Sequence, residues 1–341
     1  MPATSTARAF WIRKPGHGEI LRAELPPRQA GQVLVGARYS GISRGTEALV
    51  FQGAVPPSQH AAMRAPYQDG EFPGPVKYGY SSVGTVEEGP DRLLGRTVFC
   101  LYPHQDRYCV PAAAVHVVPA GVPAPRAVLA ANMETAVNIV WDARPGPGDE
   151  ILVIGGGVVG LLAATLCRDL PGAQVTVVDP NRSRAGVAAA LGLAYSPDPP
   201  RGATADLVIH ASGQPAGLQA ALTAAAHEAT IVEASWYGVS QVELPLGEAF
   251  HARRLTLRSS QVGHVPPDRA PRWSRARRLQ LALTLLADPR LDVLLTGESG
   301  FDELPVALAA LARQPGDTLC HRIRYPDPPA DPGTRSREPA A

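Results

Sequence analysis

From Ala9 to about Ala120 the apolar residues come in short runs, AFWI, QVLVGARY, VGTVEE, TVFCLY and AVHVVPA, separated by Gly and Pro. Runs bounded in this way predict short strands in a compact, mostly β unit, and no stretch there keeps the period of a long helix. From Ala124 the texture changes. Ala127 to Trp141 predicts a helix, and Glu150 to Gly186 predicts an apolar strand, a glycine turn, an Ala/Leu-rich helix and a second apolar strand. Ala205 to Ser212, Leu218 to His227 and Ala229 to Ser235 continue the alternation. Strand and helix taking turns predicts a parallel sheet covered on both faces, so the expected class is α/β. Arg275 to Ala287 and Leu304 to Arg313 read as helices, and Cys320 to Tyr325 as a closing strand.

Composition narrows the partners. A chain of 341 residues fits two domains of about 150 each. With 32 basic against 31 acidic residues, no general field gathers nucleic acid or an anionic membrane surface. The arginines at 272, 275, 277 and 278 read as a solvated helix face, since nothing aromatic or glycine-rich accompanies them. Cys100, Cys109, Cys167 and Cys320 form no CxxC pair, which argues against a disulfide framework or a zinc knuckle and suits a reducing compartment. Met1 to Arg8 lacks an export signal, and no apolar run approaches the ~20 residues of a membrane span, so the expected location is the cytoplasm. Residues 1–8 and the Pro-rich, charged end from Pro326 to Ala341 are expected to be disordered.

The sharpest local signal is Glu150-Ile-Leu-Val-Ile-Gly-Gly-Gly-Val-Val-Gly160. Gly155, Gly157 and Gly160 stand in GxGxxG spacing where a strand ends and a helix begins. The first permits a tight turn, the second lets backbone approach a pyrophosphate, and the third lets helix and strand pack closely. Phosphates then face the free amides at the positive end of a helix, around Val159. The next strand, Gln174 to Val178, ends in Asp179, about 20 residues beyond the last glycine, where a carboxylate meets ribose hydroxyls and repels a 2′-phosphate. NAD is therefore favoured; NADP stays open because Arg182 and Arg184 follow closely.

With these residues in place, the chain from about Ala9 to Tyr325 resembles the medium-chain dehydrogenase/reductase superfamily. Ser40-Gly-Ile-Ser-Arg-Gly-Thr-Glu47, Gly79-Tyr-Ser-Ser-Val-Gly84, Met133-Glu134, Ala211-Ser-Gly213 and the return around Phe301 to Ala310 also carry the resemblance. Within the superfamily, the GISxGTE and GY-S-VG pieces are most similar to the bacteriochlorophyllide a dehydrogenase-like branch. The resemblance implies a GroES-like catalytic domain at 9–122, a Rossmann domain at 123–264 and a return segment at 265–325 that completes both. It also implies a small-molecule substrate and leaves room for a homodimer.

The departures from the family matter as much. Zinc-dependent members read GxCGTD and GHE where this chain has Ser43, Tyr80 and Ser81. Two hydroxyls and a phenol make a poor zinc site, and the four-cysteine lobe is missing, so no zinc is expected. Tyr80, at the place of the family's histidine, is the first candidate to polarise a carbonyl and move a proton; the alternative is a buried ring filling the vacated site. For phenolate to form, the nicotinamide charge or an inward-turned Lys77 would have to help. Ser43 and Thr46 follow, Thr46 matching the family's proton-relaying hydroxyl, although Arg44 makes the loop one residue longer. By resemblance Arg44 meets the pyrophosphate. Glu134 is either an orienter or a base of raised pKa, with Thr135 beside it at the nicotinamide end. Tyr102, His104 and Asp106 sit where family members line the substrate cleft, and His104 would supply a group titrating near neutrality. Ala211, Ser212, Gly213, Ser235, Trp236 and Ser260 follow successive parallel strands and by resemblance line the cofactor.

The expected activity is hydride transfer between nicotinamide and a secondary alcohol or ketone, on a side chain of a ring system such as a tetrapyrrole or pterin. Two alternatives stand beside it: a zinc-free reductase of activated C=C bonds, and an NAD(H)-binding protein without turnover.

Overall fold

A computed structural model describes residues 6–314 and 316–326. The first unit holds β1 (Thr6–Lys14), β2 (His17–Glu24), β3 (Gln32–Ile42), α1 (Arg44–Phe51), β4 (Asp69–Gly70), β5 (Val76–Lys77), β6 (Ser82–Glu88), β7 (Thr97–Cys100), β8 (Arg107–Pro111) and β9 (His116–Val117). After α2 (Ala124–Ala127) and α3 (Ala130–Ala143) comes the alternating unit: β10 (Glu150–Ile154), α4 (Val158–Arg168), β11 (Gln174–Val178), α5 (Arg184–Ala190), β12 (Ala194–Ser196), β13 (Ala205–His210), α6 (Pro215–Ala224), β14 (Ala225–Glu233) and β15 (Thr256–Ser259). The chain then returns through α7 (Arg275–Leu285), β16 (Leu295–Gly300), α8 (Leu304–Arg313) and β17 (Cys320–Arg324).

The second unit is a six-stranded parallel sheet in the order β12-β11-β10-β13-β14-β15, which places the chain reversal between β10 and β13. Ligands bind outside the carboxyl ends of such strands, at that reversal. The β unit pairs β17 between β16 and β3, so the returning chain is woven into the first domain. One apolar core runs through α3, α4 and the strands of the parallel sheet and reaches Val83 and Phe99 of the β unit; a second fills the β unit itself. Each fully buried Leu or Val in these layers contributes about 1.5–3 kcal/mol relative to exposure. Tyr80 packs against both cores, which fixes it at the boundary between the domains.

Several expectations shift. β1 begins at Thr6, so residues 6–8 are strand rather than a loose terminus; residues 1–5 and 327–341 lie outside the described residues. The helix expected over 127–141 is two pieces, broken around Val128 and Leu129, and α3 extends to Ala143. The segment 225–227, expected to be helical, is already β14. The β unit contains α1, whose eight residues are too few to show a long period.

Candidate active site

The glycine turn is built as its spacing predicts. Gly155 has φ +115°, and a Cβ there would lie 2.7 Å from the backbone of Ala211 and Ser212. A Cβ on Gly160 would meet the Gly155 carbonyl oxygen at 2.0 Å, whereas Gly157 faces open space. The turn therefore closes on its neighbours on two sides and is clear on the third, where the first turn of α4, around Val159, presents backbone amides with no side-chain cap. Asp179 stands opposite: its carboxylate accepts the Gly156 N–H at 2.7 Å and the Asn181 N–H at 2.8 Å. These residues fit a dinucleotide.

Arg184 packs over Gly156 and Asp179, and Arg44 reaches the same place from the β unit. Burial and the nearby Arg184 hold the Arg44 guanidinium below its usual pKa, with Asp179 acting in the opposite direction. Arg44 donates to the Thr318 carbonyl at 2.9 Å.

The ends of β13 and β14 are tied by a network that sequence reading missed. His210, fully buried, donates from Nδ1 to Glu233 at 2.8 Å, and its Nε2 accepts the Ser212 hydroxyl at 2.6 Å. Tyr237 donates to the same Glu233 at 2.9 Å, and the Gly213 N–H donates to Ser235 Oγ at 3.0 Å. The turns carrying Ala211, Ser212, Gly213 and Ser235 are thus braced from behind. Trp236, which leaves the parallel sheet, packs on the core of the β unit.

Around Tyr80, where the resemblance places the metal of zinc-dependent members, the side chains are of another kind. Tyr80 is pushed up to about 12, first by burial and then by the Glu47 carboxylate, while Ser43 and Thr46 act as polar partners in the opposite direction. It is a neutral phenol at ordinary pH. The Ser81 hydroxyl donates to the Val128 carbonyl. Serine and tyrosine oxygens do not fit zinc, and among the described residues no three His, Cys, Asp or Glu side chains stand close enough to hold an ion.

Glu47 was not foreseen. Its carboxylate accepts the Ser43 N–H at 2.8 Å, steadying the first turn of α1, and accepts His104 Nε2–H at 2.8 Å. His104 Nδ1 then takes the Ser40 hydroxyl at 2.7 Å, and Tyr325 lies 3.0 Å from Ser40. His104 is 1% exposed and lies close against Gly79, the residue before Tyr80, with both ring nitrogens engaged inside the β unit. Its neighbours also turn inward: Tyr102 stacks on Tyr108 at 3.8 Å, and Asp106 pairs with Arg8 at 3.1 Å.

Other expected roles are corrected by geometry. Glu134 is not a free base: the buried Arg278 donates to it at 3.0 Å and also holds Asn138 and the Val262 carbonyl. Arg278 is therefore no part of a solvated face, and the surrounding arginines do have aromatic company, with Arg277 4.0 Å over Trp273 and Trp273 5.0 Å from Trp141. Thr135 donates back to the Ala131 carbonyl one turn earlier, and Ser260 donates to Asp142 at 2.7 Å, so both hydroxyl protons are engaged within the chain. Lys77 turns to Asp69 at 2.6 Å and Gln105 at 2.9 Å, not to Tyr80.

Comparison with known proteins agrees with this architecture. D-guloside 3-dehydrogenase of Escherichia coli (strain K12) is 22% identical over 329 residues, spanning 87% of this chain and 91% of the relative. L-idonate 5-dehydrogenase of E. coli superposes with a TM-score of 0.77 at 14% identity, covering 94% of this chain and 99% of the other. An alcohol dehydrogenase of E. coli CFT073, solved with NADH, gives 0.75 at 18% identity, covering 94% and 100%. The fold is that of the medium-chain dehydrogenases. No family model matches the chain. As in that fold, a GroES-like domain is joined to a Rossmann domain, with Tyr80 packed on the cores of both. No helix among the described residues is long and apolar enough to cross a membrane.

Proposed function

We propose that the protein is an NAD(P)-dependent oxidoreductase, NAD being favoured, that interconverts a secondary alcohol and a ketone without zinc. The observation that supports this most directly is the pairing of an open glycine turn in one domain with a protonated phenol, Tyr80, wedged between the two cores. Bound nicotinamide supplies or accepts the hydride. Gly155, Gly157 and Gly160 make room for its pyrophosphate, Asp179 meets the adenosine ribose, and the braced turns at 211–213 and 235 position the rest.

In ketone reduction Tyr80 donates its hydroxyl to the carbonyl oxygen as negative charge develops there, the kind of fixed donor whose loss typically costs about 10²–10³ in turnover. The phenol is then reprotonated from solvent, with the Ser43 and Thr46 hydroxyls, its polar partners, relaying the proton. Alcohol oxidation runs the same proton path in reverse, with the Tyr80 oxygen receiving the proton, so the raised pKa bears on both directions alike. Glu47 and His104 are positioning residues: they fix the start of α1, and with it Ser43 and Thr46. For the substrate, the curated relative's name describes a dehydrogenase acting on a guloside, and the branch resemblance suggests a side chain on a ring; both are compatible with a ring-bearing secondary alcohol or its ketone.

The test combines three measurements on the purified chain: NADH and NADPH titration by nicotinamide fluorescence, metal content, and NADH consumption against a panel of cyclic and aryl ketones with chelator present. NADH binding with chelator-resistant ketone reduction is expected. Stoichiometric zinc on which turnover depends, or no NADH binding, would overturn the reading.

A further inference from the structure

Between α8 and β17 the chain reaches out of the β unit and touches the loop that follows Asp179. Asp317 Oδ1 accepts hydrogen bonds from Asn181 Nδ2 and Ser183 Oγ, both at 2.8 Å. The Asp317 carbonyl accepts Arg184 Nη1 at 2.7 Å, and the next carbonyl, Thr318, accepts Arg44. An amide, a hydroxyl and two guanidinium groups thus converge on one turn of chain more than 130 residues away in sequence, where the amide and the hydroxyl meet an exposed carboxylate. Such a donor set is the kind that binds phosphate oxygens.

Its place gives it meaning. Asp179 touches the glycine turn, and Asn181 and Ser183 lie two and four residues further on. In a dinucleotide fold the acidic strand end meets the ribose 2′-hydroxyl, and a 2′-phosphate, where one is accepted, lies beside it on nearby donors. We propose that Asp317 is a cofactor-specificity residue, its carboxylate seated on Asn181 and Ser183 where a 2′-phosphate would have to bind. NADP is then refused twice, because its phosphate meets the negative charges of Asp179 and Asp317 and because the neutral donors are already taken. The buried Arg184 gives one guanidinium N–H to the Asp317 carbonyl and lays its aliphatic stem over Gly156, so its charge acts on both cofactors' adenosine ends while Asp317 bears on the 2′ position. With Asp317 removed, Asn181 and Ser183 become available beside the exposed Arg182. The inference rests on the nicotinamide reading above.

The experiment therefore uses probes that need no turnover, 5′-AMP and 2′,5′-ADP, titrated calorimetrically against the wild-type chain, Asp317→Ala and Asp317→Asn. For Asp317→Ala the affinity for 2′,5′-ADP should rise by about tenfold or more, the scale of one charge-assisted contact, with 5′-AMP changed by less than about twofold. Asp317→Asn, which keeps the shape and loses the charge, should gain less. A fall in both affinities together would mean that Asp317 only clasps the domains, and unchanged 2′,5′-ADP binding would mean that it guards nothing; either overturns the proposal. If the wild-type chain binds neither 5′-AMP nor NADH, the nicotinamide reading falls and this inference with it, a result separate from the other two because 5′-AMP binding is its own control.

Discussion

A phenol that keeps its proton up to about pH 12 is a donor and little else, and this decides what Tyr80 contributes. Burial and the Glu47 carboxylate both oppose phenolate, and the Lys77 charge is paired with Asp69 instead. Tyr80→Phe keeps the ring between the two cores and removes only the hydroxyl. Turnover of a ketone substrate should fall about 10²–10³-fold while the NADH dissociation constant, read by fluorescence, stays within about twofold. An equal loss in both would mean that the hydroxyl shapes the cofactor site instead. The pH profile carries the same signature: reduction should show no break attributable to Tyr80 below pH 10, because its ionisation lies above that range.

At the scale of elements, the structure uses Arg278 as a clamp between α7 and α3. One guanidinium on α7 reaches Glu134 and Asn138 of α3 and the carbonyls of Val262 and His264 in the connecting loop. Removing the arginine strands a buried carboxylate that desolvation already pushes upward, so Arg278→Met should cost about 3–5 kcal/mol in urea unfolding. Glu134→Gln keeps an acceptor and should retain turnover within a few-fold while losing stability. A collapse of turnover in a folded Glu134→Gln protein would restore the general-base role.

The same clamp shows where legibility in the sequence ends. The glycine turn, Asp179 and the strand–helix alternation could be read because their meaning lies within windows of about 30 residues, and the departures at Ser43 and Tyr80 because the resemblance supplied their places. The partners of Glu134, Glu47 and Ser40 could not: Arg278 is 144 residues from Glu134, His104 is 57 from Glu47, and Tyr325 is 285 from Ser40. A polar residue in an apolar helix shows that a partner is needed, and the topology alone decides which one. His210 and Glu233 had a weak signal, each following an apolar run at the end of its strand.

Across the whole molecule, the thiols and phenols are set against high pH. Cys100, Cys167 and Cys320 are each pushed up to about 12 by burial, and Tyr78, Tyr108 and Tyr325 are raised by the same cause. A thiol whose folded pKa lies above its unfolded value of about 9 contributes stability that is complete below pH 9 and is lost as pH rises toward the folded value. Above pH 9 each buried thiol that ionises only on unfolding lowers stability as pH rises, and from pH 10 the buried tyrosines add to the loss. The typical total is only about 5–15 kcal/mol, so the loss should be visible well below pH 12. Urea midpoints measured at pH 8, 9, 10 and 10.5 should be nearly level to pH 9 and then fall steeply. Replacing Cys167 by Ala removes one titrating group from α4, and its curve should therefore start lower and fall with a shallower slope above pH 9; parallel curves for the variant and the wild-type chain would show that this thiol does not drive the alkaline loss.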